Sequence, residues 1–267
     1  MAITTRDGLI AAQAASQTVR IFKSAVRTTV AAVPFSLFDL AGDPGAGVLA
    51  GTSLAAGVVP TDATAGVPII NAFTGANSGY LSRIEASSPV AGRLAIYDML
   101  WKGGAYAFNA NQALAAQPSY STRVPDGTDF KGTQIWLEAV TAFTGLQSIA
   151  ITYTNQDGVG SRTTGTVATG VAPILGRMFR MPFQSGDTGV RKIDNITSTV
   201  STAGTFNVLV LDKKWEGRIR VANDGIVHGP DLTGLSNIYA DSALIFVVTA
   251  DSTSSSNPEV VFDIING

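Results

Sequence analysis

The chain has no cysteine and a single histidine, and only 14% of its 267 residues are charged. Without cysteine there can be no disulfide, no thiolate nucleophile and no cysteine-held zinc or iron–sulfur centre, so the fold is indifferent to redox state. With one histidine, a Ser-His-Asp hydrolase would have to use His228, and no Gly-x-Ser-x-Gly elbow supplies its nucleophile. The string Val227-His228-Gly229-Pro230 reads as a solvated loop. Charge of either sign is scarce, with 18 basic against 20 acidic residues. No basic face or tail marks a nucleic-acid binder. No apolar run reaches the length of a membrane span, and the opening MAITTRD is unlike a signal peptide. The expectation is a protein made in a cytoplasm, with no nucleic-acid and no membrane partner.

What fills the gap left by charge is Gly, Ala, Ser, Thr and Asn, and the mean hydropathy is +0.24. Such a chain is long enough to bury a substantial core. Ser148 to Thr154 alternates Ile149, Ile151 and Tyr153 with small polar residues, the period of a half-buried strand. Thr205 to Leu211, Ala243 to Thr249 and Glu259 to Ile265 read as strands buried on both faces. Asp126-Gly127, Asp157-Gly158 and Asp224-Gly225 supply turn chemistry. Helical rhythm is confined to the start, where Asp7 can cap a short helix carrying Leu9, Ile10 and Ala14. Val19, Ile21 and Lys23 already alternate like a strand. Residues 41–72 form a long irregular tract whose Val58, Val59, Val67, Ile69 and Ile70 argue against free solvation; it reads as an extended arm lying on its own body or on a neighbour.

An internal repeat organises the rest. GYLSRIEASSPVAGRLAIYDMLWKG near residue 79 and GVRKIDNITSTVSTAGTFNVLVLDKKWEG near residue 189 share a basic-Ile-acidic triplet (Arg83-Ile84-Glu85; Lys192-Ile193-Asp194). Each continues through Ala-Gly to a strand ending in an Asp, a Trp and a Gly: Asp98, Trp101 and Gly103, then Asp212, Trp215 and Gly217. Gln134-Ile135-Trp136 is matched with Asn237-Ile238-Tyr239, and Thr154–Gly158 with Asp263–Gly267. The expected fold is all-β: an N-terminal helix and arm over 1–72, then two tandem antiparallel, jelly-roll-like β-sandwiches over 73–165 and 166–267.

No strong catalytic or ligand motif emerges. GDPGAG over 42–47 lacks the Lys-Ser or Lys-Thr of a phosphate loop. Glu138 beside Trp136 reads as a cross-strand partner. Asp126, Thr128 and Asp129, Asn155 with Asp157, and Asn223 with Asp224 read as Asx turns before they read as calcium ligands. No catalytic residue, cofactor or metal site is expected.

The strings TRDGLIAA…RIFKSA, FSLFDLAGDPGAG, PTDATAGVP, GYLSRIE, MPFQSGDTGVRKI and YADSALIFVV resemble auxiliary head proteins of tailed bacteriophages, the decoration or cement-like virion components. That resemblance implies a β-rich fold, a homotrimer or other small oligomer, and the major capsid protein as partner. It also implies a place on the capsid exterior after synthesis in the host bacterial cytoplasm, and no catalytic residue. The contacts with capsid or subunit are expected from Phe22, Phe35, Phe38 and Ile69. Two other readings share the composition. One is a tail, baseplate or fibre-associated β protein; the other is a carbohydrate-binding module using Trp101, Trp136, Trp215 or Tyr239 as an aromatic platform.

Overall fold

A computed structural model describes residues 3–75, 78–124, 129–143, 148–168, 174–198 and 203–266. In chain order the elements are helix α1 (Arg6–Ala14), strands β1 (Gln17–Phe22), β2 (Arg27–Thr28), β3 (Pro34–Ser36), β4 (Ser78–Ser88), β5 (Gly92–Ala107) and β6 (Gln112–Ala113). Next come β7 (Gln134–Ala139), β8 (Ser148–Asn155), β9 (Arg162–Thr163), β10 (Val167–Ala168) and β11 (Met178–Arg180). The last stretch holds β12 (Val190–Ser198), β13 (Thr205–Ile219), β14 (Asp224–His228), α2 (Pro230–Thr233), β15 (Asn237–Tyr239), β16 (Leu244–Ala250), β17 (Ser255–Ser256) and β18 (Glu259–Asn266). The protein is all-β and built from antiparallel sheets, as its alternating sequence predicts.

Local patterns explain individual elements. In β8, Ile149, Ile151 and Tyr153 are fully buried, while Ser148, Ala150, Thr152 and Thr154 between them are half-exposed. In β13 every residue from Phe206 to Asp212 is buried, so this strand is covered on both faces. Helix α1 is capped by Thr5 and not by Asp7: the Thr5 hydroxyl accepts the Gly8 N–H at 3.0 Å, and Asp7 falls in the first turn. There its carboxylate still faces the positive end of the helix dipole. Gly158 takes the expected left-handed turn position (φ 81°), whereas Asp224-Gly225 opens β14 and Asn223 makes the turn (φ 60°). The Asp126-Gly127 turn lies outside the described residues.

The chain forms two compact units, and neither is a continuous stretch. The described residues of 1–47, 61–98 and 213–267 make unit 1, and those of 48–60 and 99–212 make unit 2. Unit 1 has a sheet in the order β1-β18-β4-β14 and a second running β5-β16-β3. Unit 2 has β10-β8-β12-β6, with β9 also on β8, and a second sheet running β11-β7-β13. Each unit encloses its own core. One centres on Leu81, Ile84, Ile96, Phe246 and Phe262, the other on Tyr106, Phe108, Ile135, Ile151 and Phe206.

These two sheet orders are the same topology used twice, and the pairing register shows how the repeats are distributed. Ile84 of β4 stands opposite Phe262 of β18, and Ile193 of β12 stands opposite Tyr153 of β8. The first strand of each repeat therefore pairs with the last strand of the other. The boundaries 73–165 and 166–267 expected from a tandem arrangement do not follow these units. The cause is that β4 and β5, like β12 and β13, are not hairpins: each pair divides between two sheets, and the long strands β5 and β13 run on from one unit into the other.

The register also corrects one match and extends the repeat. The partner of β5 that corresponds to β7 on β13 is β16, so Gln134–Trp136 and Asn237–Tyr239 are not equivalent. Upstream, Phe35 on β3 faces Val248, and Phe179 on β11 faces Leu137. Gly-Asp then follows at equal spacing in each copy, as Gly42-Asp43 and Gly186-Asp187.

Trp101 and Trp215 close equivalent positions, 0% and 4% exposed. Each indole lies over the glycine two residues on, because a Cβ on Gly103 would overlap Trp101 and one on Gly217 would overlap Trp215. Gly103→Ala and Gly217→Ala are each expected to lower stability by about 1–3 kcal/mol through overpacking. The measurement is a lower urea midpoint at unchanged m value. Gly45→Ala, with nothing near its Cβ position, should leave the midpoint where it is.

Candidate contact surface

The tract 41–72 lies on the body of its own chain and is held there largely through its backbone. Residues 41–47 and 61–72 belong to unit 1, and 48–60 to unit 2. In unit 1 the Lys23 side chain, on a residue 1% exposed, donates to Pro44 O at 2.8 Å, Gly45 O at 3.0 Å and Gly66 O at 3.3 Å. One ammonium thus ties together the two ends of the tract. Burial brings its pKa down to about 8, with Asp39 and Asp43 pulling the other way. The Gln17 side-chain amide donates to Asn71 O at 3.1 Å and accepts from Asn71 N at 2.9 Å.

In unit 2 the anchors are buried polar side chains and a strand edge. Asn207 donates to Leu49 O at 2.6 Å and accepts from Gly51 N at 2.9 Å, and its amide also reaches Glu138 Oε2 at 2.9 Å. Lys102 Nζ donates to Val48 O at 2.9 Å, and Trp101 Nε1 to Ala56 O at 3.0 Å. The backbones of Val58 and Lys102 exchange hydrogen bonds at 2.8 and 2.9 Å. Glu138 and Asn207 face each other across β7 and β13, and the Asn207 amide is one cross-strand partner of this glutamate.

With its backbone held, the tract turns apolar side chains outward. Ile69 is 73% exposed and Val48 66%, and Leu54 and Val58 are also exposed, while Leu49, Val67 and Ile70 point inward. The four residues expected at contacts separate accordingly. Phe35 is fully buried on β3, and Phe38 is buried with its ring against Gly47 and Gly66, where a Cβ would overlap it. Phe22 is half-buried with the Arg20 guanidinium 5.0 Å over its ring. Ile69 alone of the four is open to solvent. Val48, missed from sequence, carries no signal that separates it from Leu49 beside it.

The other candidates take structural places. His228 is not a solvated loop residue: it ends β14, half-buried, because its Nδ1 accepts the Trp215 Nε1 proton at 3.0 Å. Trp101, Trp136, Trp215 and Tyr239 are all buried, which removes them as an exposed sugar platform. Asp126 and Thr128 lie outside the described residues, and Asp129 accepts from Lys131 N. Asn155 Oδ1 accepts from Asp157 N and Val159 N, and Asp224 accepts from Gly225 N, so both serve turns. Among the described residues no three metal-ligating side chains gather, and no helix is long and apolar enough to cross a membrane.

Asp187 centres a polar network in unit 2. It receives Arg162 at 2.8 and 3.1 Å, the Tyr153 hydroxyl at 2.7 Å and Asn155 Nδ2 at 2.8 Å. The Arg162 guanidinium foremost, then Asn155 and Tyr153, hold its pKa down at about 2.

No protein-family model matches the chain, and no curated protein matches it. Among solved structures it is similar to the infectious bursal disease virus VP2 subviral particle, at 10% identity and a TM-score of 0.23, over 94% of this chain and 80% of that one. It is also similar to the structure of the infectious bursal disease virus Gx strain, at 13% identity and a TM-score of 0.19, over 94% and 65%. At TM-scores of this size the likeness to viral capsid proteins carries no argument.

Two outcomes follow from the anchors. Lys23→Met should lower stability by about 2–3 kcal/mol, since three carbonyls lose a charged donor. It should also open the stretch 44–66 to protease, seen by mapping limited-digestion fragments. For Asp187 the folded pKa lies below the ordinary 3.8, so its stabilising effect is complete above that value and is lost as pH falls through about 2. The stability gap between the wild type and Asp187→Asn should therefore narrow as urea melts are taken from about pH 5 down to about pH 2.

Proposed function

We propose that this chain is a non-enzymatic structural protein of a tailed-bacteriophage head, binding the outside of the capsid and bridging neighbouring capsomers. The observation that carries this reading is the arm. The fold does not need it for connectivity, because the second copy of the topology passes from Gly186-Asp187 to β12 directly, while the first inserts the arm between Gly42-Asp43 and β4. Yet the insertion is tied down by Lys23, Lys102, Trp101 and Asn207 and presents Val48, Leu54, Val58 and Ile69 to solvent. A loop ordered in advance loses little entropy when a partner arrives. Residues 46–75 carry one charge, Asp62, matching the charge-poor centre of lasting interfaces.

Its mechanism is additive. Each contact gains about 25 cal/mol per Å² of apolar area before association costs. A chain that touches two capsomers at once gains avidity without one strong site. The resemblance of its sequence strings to phage head proteins names the surface, and the net charge of −2 fits a protein partner better than nucleic acid.

The test uses heads of the source phage stripped of this protein. Purified chain should rebind them in many copies spread over the shell, seen by cryo-electron microscopy, and should raise the temperature at which they rupture. Val48→Asp and Leu54→Asp should each weaken binding by about tenfold or more without changing the melting temperature. Density at a single vertex would move the protein to the tail apparatus, and failure to bind any part of the particle would overturn the virion role.

A further inference from the structure

Among the apolar features that unit 1 exposes, beside Ile10, Val221, Val227 and Leu232, are one side chain and one concave groove. The side chain is Ile69, 73% exposed. On one side Ile70 is buried and its N–H is bonded to Asp62 Oδ2 at 3.3 Å; beyond it Asn71 is held by Gln17. Ile69 therefore stands out from backbone that is fixed around it. The groove, of about 530 Å³, is lined chiefly by Ile3, Arg6, Leu9, Tyr80, Leu235 and Ile265. It is roomy for one branched aliphatic side chain with its neighbours.

Charge says which object fits. Arg6 is the one charged residue lining the groove, and it pairs with no carboxylate among the described residues. The one charge within 46–75 is the acidic Asp62, beside Ile69 through its bond to Ile70. Arg20, near Ile69 on β1, is already occupied by Glu259. We infer that Ile69 of one copy seats in this groove of a second copy, bringing Asp62 toward Arg6. The inference rests on reading the chain as an assembling virion protein and names the face by which copies meet. Knob and groove are different patches of one molecule, so the contact is made either twice across a two-fold axis or head-to-tail around a closed ring.

Light scattering on the eluting protein tests it. Wild type should be oligomeric; Ile69→Asp and Leu235→Asp should each be monomeric with unchanged melting temperature. Leu235 has φ 48°, a left-handed conformation that aspartate tolerates, so the second variant spares the backbone. Mixed one to one, the two monomers should form a heterodimer and nothing larger, because one retains the groove and the other the knob. The absence of cysteine allows a second readout that does not depend on either variant folding well. Ile69→Cys mixed with Leu9→Cys should give disulfide-linked dimers on mild oxidation. A monomeric wild type, or cross-links joining only Ile69→Cys to itself, would overturn the proposal. A monomeric Ile69→Asp that still coats heads would support it, while showing that capsid binding does not need self-association. Loss of head binding by a wild type that still self-associates would sink the virion role alone.

Discussion

Everything in this molecule depends on two strand pairings that join the ends of the repeats crosswise. β4 needs β18, and β12 needs β8, with Ile84 against Phe262 and Ile193 against Tyr153. A β-strand with an apolar face has no stable place until a partner and an opposing sheet cover it, and a slip of one residue would turn its core side chains outward. Here the covering partner lies in the other copy of the repeat. Neither half of the chain can complete a core from its own strands, and the entropy of closing the intervening chain must be met before these two pairings form.

That constraint explains where freedom was left for additions. The strands of the two copies are tied to one topology, but the connection after Gly-Asp is not. In one copy it is short, and in the other it carries the arm. The arm is held by groups that would be costly to bury alone: the Lys23 ammonium, the Asn207 amide, the Trp101 indole N–H. Each meets a backbone carbonyl, so the same bond satisfies the side chain and fixes an otherwise irregular backbone. Equivalent positions elsewhere took other solutions. Trp101 donates to the arm at Ala56, whereas Trp215, its counterpart, donates to His228.

The functional reading follows from this division of labour. Strands supply rigidity and the arm supplies an apolar, nearly uncharged surface that costs little to present because it is already ordered. A groove beside α1 and the exposed Ile69 are further apolar surfaces of the same chain. The buried aromatic residues and buried polar groups belong to the scaffold.

Much of this architecture was legible in the order of residues. Period-two alternation in Ser148–Thr154, the doubly apolar run of Thr205–Leu211, the Trp-x-Gly marks and the match of Thr154–Gly158 with Asp263–Gly267 are local signals, because side-chain direction along a strand is set by its neighbours in sequence. They determined an all-β chain built on a repeated strand pattern. Which strand lies beside which is a non-local matter. The sequence could not say that the repeats exchange partners, that β16 and not β15 corresponds to β7, or that Thr5 outcompetes Asp7 as the helix cap. Nor could it separate Phe35 and Phe38, which face the interior, from Ile69, which does not. All are apolar residues in similar surroundings along the chain, and only the folding of the arm onto its own sheets decided which were covered and which were left exposed.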